Sequence, residues 1–66
     1  MSQSLLRLAT VKARTGLSRS TIYRRMAEGC FPQPISLGGR SVAWVDGDVN
    51  AWIAAQIEAA RVRGHR

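Results

Sequence analysis

Along the chain, apolar residues recur at helical spacing towards both ends and alternate every second residue in between. Leu5, Leu6 and Leu8, with Arg7 among them, read as a short extended lead-in that covers part of a core. From Thr10 the pattern turns helical: Ala9, Val11 and Ala13 supply apolar contacts while Lys12 and Arg14 point outward. Thr10 is expected as the N-cap of this helix, and Gly16 suits the left-handed residue that ends it. Leu17 then packs into the angle between two helices and Ser18 caps the second, so Gly16, Leu17 and Ser18 make a turn of helix-turn-helix length. On the second helix Ile22 and Met26 share a face with Gly29, whereas Ser20, Arg24 and Glu28 lie opposite, flanked by Thr21 and Tyr23.

After Gly29 the helical rhythm stops. Pro32 and Pro34 remove backbone donors and push the residues before them towards extended geometry. Phe31 is expected to plug the core from this loop. Ile35, Ser36 and Leu37 then alternate as a strand, Gly38-Gly39 offers a turn, and Ser41 to Trp44 return as the second strand. A lone hairpin is marginal, so Ile35, Leu37, Val42 and Trp44 are expected to lean on the helices. A third helix starts at Asp46 as N-cap, with Asp48 in its first turn and Val49, Trp52, Ile53, Ile57 and Ala60 as its apolar positions. Trp52 and Ile53 are expected to form the keystone of the core. Gly47 weakens the start of this helix by about 1 kcal/mol relative to Ala. The fold class that results is mainly α with a small β-hairpin: one domain over residues 1–66, three helices with the hairpin between the second and third, and loose tails at 1–4 and 61–66.

Size and charge narrow what such a domain does. With 66 residues the chain buries only about 60% of the surface its unfolded form exposes, so its core is small. The formal charge is +6, and arginine supplies nine of the ten basic residues, Lys12 being the exception. The guanidinium fork binds phosphate and guanine bidentately, which favours nucleic acid over a merely soluble surface, although an anionic membrane attracts the same charge. No stretch approaches the roughly 20 apolar residues that cross a bilayer, and MSQSLLRLAT lacks the long apolar region of a secretory signal. These features point to a cytoplasmic protein. Cys30 stands alone and His65 is the one histidine, so the Cys and His residues offer no four-ligand zinc site, and Cys30 reads as a small loop residue. Four scattered acidic residues and serines without a histidine partner outside the tail argue against an enzyme. LGGRS lacks the spacing and the Lys-Ser/Thr ending of a nucleotide-binding loop, and no cofactor, metal or small-molecule ligand is indicated.

A helix with a narrow buried side and an outer side of Ser, Thr, Tyr and Arg suits a DNA major groove. On this reading Arg19, Ser20, Thr21 and Arg24 line the groove, while Tyr23 and Arg25 fix the backbone. Thr10, Lys12, Arg14 and Ser18 are further candidates for the phosphate backbone. Arg40, with Ser41 beside it, reaches a minor groove or flanking phosphates from the hairpin tip. The competing readings are a protein-interaction module that docks through Leu5–Leu8 or the last helix, with the arginines as solubilising surface, and membrane association through the basic last helix. The acidic start of that helix argues against the membrane.

The run from Thr15 to Trp52 also resembles a known family. Thr15-Gly16-Leu17-Ser18, Ser20-Thr21-Ile22-Tyr23-Arg24, Gly29 followed by Phe31-Pro32 and Pro34, Leu37-Gly38-Gly39-Arg40, Trp44 and Trp52 stand in the order and spacing of the AlpA family of prophage-type transcriptional regulators. That family is a branch of the winged helix-turn-helix group that also holds excisionases and the DNA-binding domain of the MerR regulators. The resemblance implies a winged helix-turn-helix with its recognition helix at about 19–28 and its wing at about 35–44. It implies double-stranded DNA as the partner and transcriptional regulation in a prophage or mobile element, on the nucleoid, with an excisionase-like architectural role as the alternative. A weak homodimer or cooperative binding on repeated sites fits the same scaffold. Two departures stand out: Ala43 occupies a position that is often basic in such sequences, and Gly47 one that usually holds a better helix former.

Overall fold

In the computed structural model, which describes residues 4–64, the chain runs β1 (Leu5–Leu6), α1 (Leu8–Thr15), α2 (Arg19–Ala27), β2 (Ile35–Gly38), β3 (Ser41–Val45) and α3 (Asp46–Arg63). The three helices and the hairpin between α2 and α3 are those expected of a winged helix-turn-helix domain. The lead-in is more than a cover. Leu5 and Leu6 pair antiparallel with Val45 and Trp44, so the sheet has three strands in the order β1-β3-β2 with β3 in the middle. The Asp46 N–H donates to the Ser4 carbonyl over 2.8 Å, which ties Ser4 to the sheet.

That pairing moves the start of α1. The chain leaves the sheet at Arg7, whose extended backbone serves as the N-cap without a side-chain bond, and Leu8 is already helical. Thr10 therefore sits in the first turn, its N–H bonded to the Arg7 carbonyl at 3.0 Å, and does not cap the helix. Only Val11 of α1 is buried; Ala9 and Ala13, expected to touch the core, are exposed. Gly16 ends the helix in the left-handed region at φ 73° as its lack of a side chain allows. Leu17 packs against the core in the angle between α1 and α2.

The core is built on Trp44. Trp44, Ile22, Val11 and Val49 are fully buried, and Leu6 and Phe31 join them. Trp52 and Ile53 are only half-buried at the rim, so the expected keystone has shifted from α3 to the central strand. The reason is the third strand: β3, covered on both edges, offers its inward side chain the most enclosed position in the molecule. Trp52 instead serves the loop before β2. Its ring stands edge-on to Phe31 with centroids 4.8 Å apart, and its indole N–H donates to the Cys30 carbonyl at 2.7 Å. The Trp44 indole N–H donates to the Pro32 carbonyl at 3.0 Å, so two tryptophans fasten a segment that has no ladder of its own.

The hairpin turns one residue later than expected. Gly38 still pairs with Ser41, and Gly39-Arg40 form the turn, with Gly38 and Gly39 both at positive φ. A register irregularity between Ser36 and Gly38 accompanies it. Ser36 pairs with Val42 and Ile35 with Ala43, so Val42 and Trp44 face the helices while Ile35 and Leu37 remain exposed. Both had been expected to pack inward. Asp46 is the first residue of α3, with Val45 at the N-cap position, and α3 continues through Arg63 into the segment expected to be a tail. Ile57 and Ala60 are exposed because this helix outruns the body it packs on. His65, Arg66 and residues 1–3 lie outside the described residues.

Candidate nucleic-acid interface

Ser18 does what its position predicts. Its Oγ accepts from the Thr21 N–H at 3.2 Å, and it donates its own proton to Thr21 Oγ1 at 2.9 Å. Ser20 Oγ lies 3.3 Å from Ser18 Oγ. Because the single Ser18 proton goes to Thr21, Ser20 is the donor in that second contact, and the Thr21 hydroxyl proton remains available to an outside acceptor. One cap thus preorganises three hydroxyls around the first turn of α2, where unpaired N–H groups and the helix dipole favour an anion.

The arginines of α2 divide by environment. Arg24 is exposed on the outer face and has no bonded partner within the described residues. The Arg19 guanidinium lies 4.9 Å from the centroid of the Tyr23 ring, one helical turn away, and that ring stands at 76° to the Trp44 ring with centroids 6.4 Å apart. A line of contacts therefore runs from a surface cation through Tyr23 to the centre of the core. Tyr23 is half-buried, and its ring belongs to packing as much as to any outside contact. Arg25 is half-buried as well, and its Nε is enclosed without a partner, so only the terminal nitrogens of that fork face outward. Glu28, four residues from Arg24, forms no salt bridge with it.

Arg14 differs most from expectation. Its Nη1 donates to Asp46 Oδ1 at 2.7 Å and to Asn50 Oδ1 at 2.8 Å, joining the end of α1 to the start of α3. Asn50 completes the triangle by donating to Asp46 Oδ1 at 3.1 Å. This carboxylate was expected to serve a helix cap, and Arg14 to serve a phosphate. Instead they hold two elements together, and a pairing across 32 positions of sequence carries no local signal. Lys12 and Thr10 remain exposed on α1.

At the hairpin, Arg40 is exposed in the turn and Ser41 is half-buried at the start of β3. Ser41 stands three residues from Trp44, roughly 10 Å at strand spacing, and Trp44 touches Tyr23 of α2. The central strand thus links the wing tip to the exposed helix. Sequence reasoning missed the Arg19–Tyr23 stack, although the four-residue spacing of a cation and an aromatic ring on a helix is a readable sign. Among the described residues, no group of three or more His, Cys, Asp or Glu converges, and no helix is long and apolar enough to cross a membrane.

Comparison with known proteins adds to this geometry. The family model described as "Prophage CP4-57 regulatory protein (AlpA)" matches residues 4–57. A protein of Enterobacteria phage P4, described as "Uncharacterized protein ORF88", is 48% identical over 63 residues, which cover 96% of this chain and 70% of that protein. The "DNA-binding transcriptional activator AlpA" of Escherichia coli K12 is 32% identical over 56 residues, covering 76% of this chain and 80% of that one.

Proposed function

The chain belongs to the AlpA family of prophage regulatory proteins, and from that premise we propose that it binds double-stranded DNA sequence-specifically to regulate transcription in a prophage or mobile element. The relative from Escherichia coli, a DNA-binding transcriptional activator by its description, supports this reading. The observation that carries it is the outer side of α2. Arg24 and Ser20 are exposed on the side of the helix opposite the fully buried Ile22, with the half-buried Thr21 at its flank.

In this reading α2 lies in the major groove. Arg24 reaches O6 and N7 of a guanine, and Ser20 and Arg19 reach neighbouring base edges or phosphates. The free Thr21 proton, Ser18, Lys12, Thr10 and the outer nitrogens of Arg25 hold the backbone and set the register. Tyr23 keeps Arg19 in place by its ring and offers its hydroxyl to a phosphate. Arg40, with Ser41, reaches the minor groove or the flanking backbone from the turn. Arg14 is left out of the contact set because Asp46 and Asn50 hold it. The protein acts in the bacterial cytoplasm on the nucleoid, as a monomer or weak dimer that occupies repeated sites cooperatively.

The test is selection of bound sequences from a random duplex pool, followed by titration of the recovered site. An Arg24→Ala protein should lose roughly 1 to 3 kcal/mol on that site and discriminate less at one base position. An equal loss on every duplex would reduce Arg24 to a phosphate contact. Recovery of no motif would sink the sequence-specific reading.

A further inference from the structure

The large hydrophobic residues left exposed among the described residues fall into two patches. Leu5 (47%), Ile35 (42%) and Leu37 (45%) lie on the sheet, and Ile57 (49%) and Val62 (71%) lie on the distal half of α3. Leu6 and Trp44 pair with each other and face the core, so the alternate pairs Leu5–Val45 and Ile35–Ala43 occupy the opposite face, where Leu5 and Ile35 are exposed around a fully buried Ala43. Arg7 continues the extended backbone of β1 at φ −80° and ψ 166°, which puts its side chain on the Leu5 side, level with Ala43. This outer face is apolar with a guanidinium on it.

The distal half of α3 is its counterpart. The helix spans 18 residues, about 27 Å at helical rise, and the molecule is 48 Å in its longest dimension. Helical spacing places Glu58 inside the arc bounded by Ile57 and Val62, and Glu58 has no cationic partner among the described residues. Arg61 shares the arc, and its long side chain can carry its charge past a contact there to water or phosphate.

We propose that these two patches fit each other between molecules: α3 of one copy docks on the outer sheet face of the next copy along DNA, with Glu58 against Arg7 of the neighbouring copy. This rests on the DNA-binding reading above. The exposed parts of three side chains amount at most to a few hundred Å², on the order of a fifth of the 1,200–2,000 Å² of a stable complex, and each copy carries +6. In free protein this contact therefore holds no stable complex. Neighbouring sites on a duplex change both terms, since phosphates neutralise the charge and the shared duplex raises the effective concentration. The contact joins two different surfaces, so it propagates in one direction and selects direct over inverted repeats.

The test uses full-length protein and duplexes that carry the selected site once, twice as a direct repeat, or twice as an inverted repeat, with spacings scanned through about 10 base pairs. Titration should show roughly tenfold tighter occupancy of the second site on one direct-repeat spacing, and no gain on inverted repeats. Ile57→Ser, Glu58→Arg and Arg7→Glu should each lose that gain, judged against their own single-site affinity. The double variant Arg7→Glu/Glu58→Arg should recover it, which loss of folding could not mimic. A gain that survives Ile57→Ser and both charge reversals, or that is equal on inverted repeats, overturns the proposal. So does single-site binding without any gain, which leaves the DNA reading standing; failure to retain any duplex overturns both.

Discussion

Ser18 has two duties that can be separated by substitution. As a cap it satisfies the Thr21 N–H, and as the hub of three hydroxyls it shapes the first turn of α2. Ser18→Ala should cost about 1 kcal/mol and lower the thermal midpoint by roughly 4–8 °C. Ser18→Asp caps equally well and should restore the midpoint while weakening DNA binding, because it brings a negative charge to a phosphate site; restored stability with unchanged affinity would remove Ser18 from the interface. Trp44 tests the core. Trp44→Ala should cost about 3–5 kcal/mol, against a total of roughly 3–10 kcal/mol for a chain of this length. Its thermal midpoint should fall by more than about 12 °C. Trp52→Ala should cost less, because that ring is half-buried; the opposite order would return the keystone to α3. The exposed residues of α2, Ser20 and Arg24, were legible from helical spacing alone, whereas the burial of Trp44 over Trp52 was not.

At the scale of elements, the joint between α1 and α3 is the feature that spacing could not reveal. Arg14, Asp46 and Asn50 form it at the surface, and an ion pair in that setting is worth less than about 1 kcal/mol. A double-mutant cycle on Arg14→Ala and Asp46→Ala should measure a coupling of that size, shrinking in 1 M salt. The same Arg14→Ala protein should keep the salt slope of DNA binding; a decrease of about one in that slope would put Arg14 back among the phosphate contacts. The hairpin was also partly legible. The run Ile35–Trp44 announced two strands and a glycine turn, and the structure has both. Ile35 and Leu37 were assigned inward because a hairpin needs support, yet β1 supplies part of that support at the other edge of β3. Two residues, Leu5 and Leu6, are too short a strand to announce themselves as a partner.

For the molecule as a whole, charge and size set the behaviour. About five neutralised phosphates give an affinity that falls with salt at a log-log slope of about −4 to −5. Arg40→Ala should reduce the steepness by about one if the turn touches the backbone. A salt-insensitive partner, with no duplex shifted at low salt, would favour the docking-module reading. The body owes its cohesion to one small cluster spread over all three helices, β1, β3 and the loop at Phe31. No two neighbouring elements could hold it alone.

The order of residues by itself determined the helix-turn-helix, its caps at Gly16 and Ser18, the wing and the basic outer side of α2, because each depends on short-range spacings; the N-cap expected at Thr10 was not among them. Only the folded chain decided that Leu5 and Leu6 complete the sheet, that Trp44 sits at the centre, and that Arg14 turns to α3. Those outcomes depend on which distant segments compete for the same enclosed space and the same carboxylate. Local rhythm ranks candidates for such places, but three-dimensional closure assigns them.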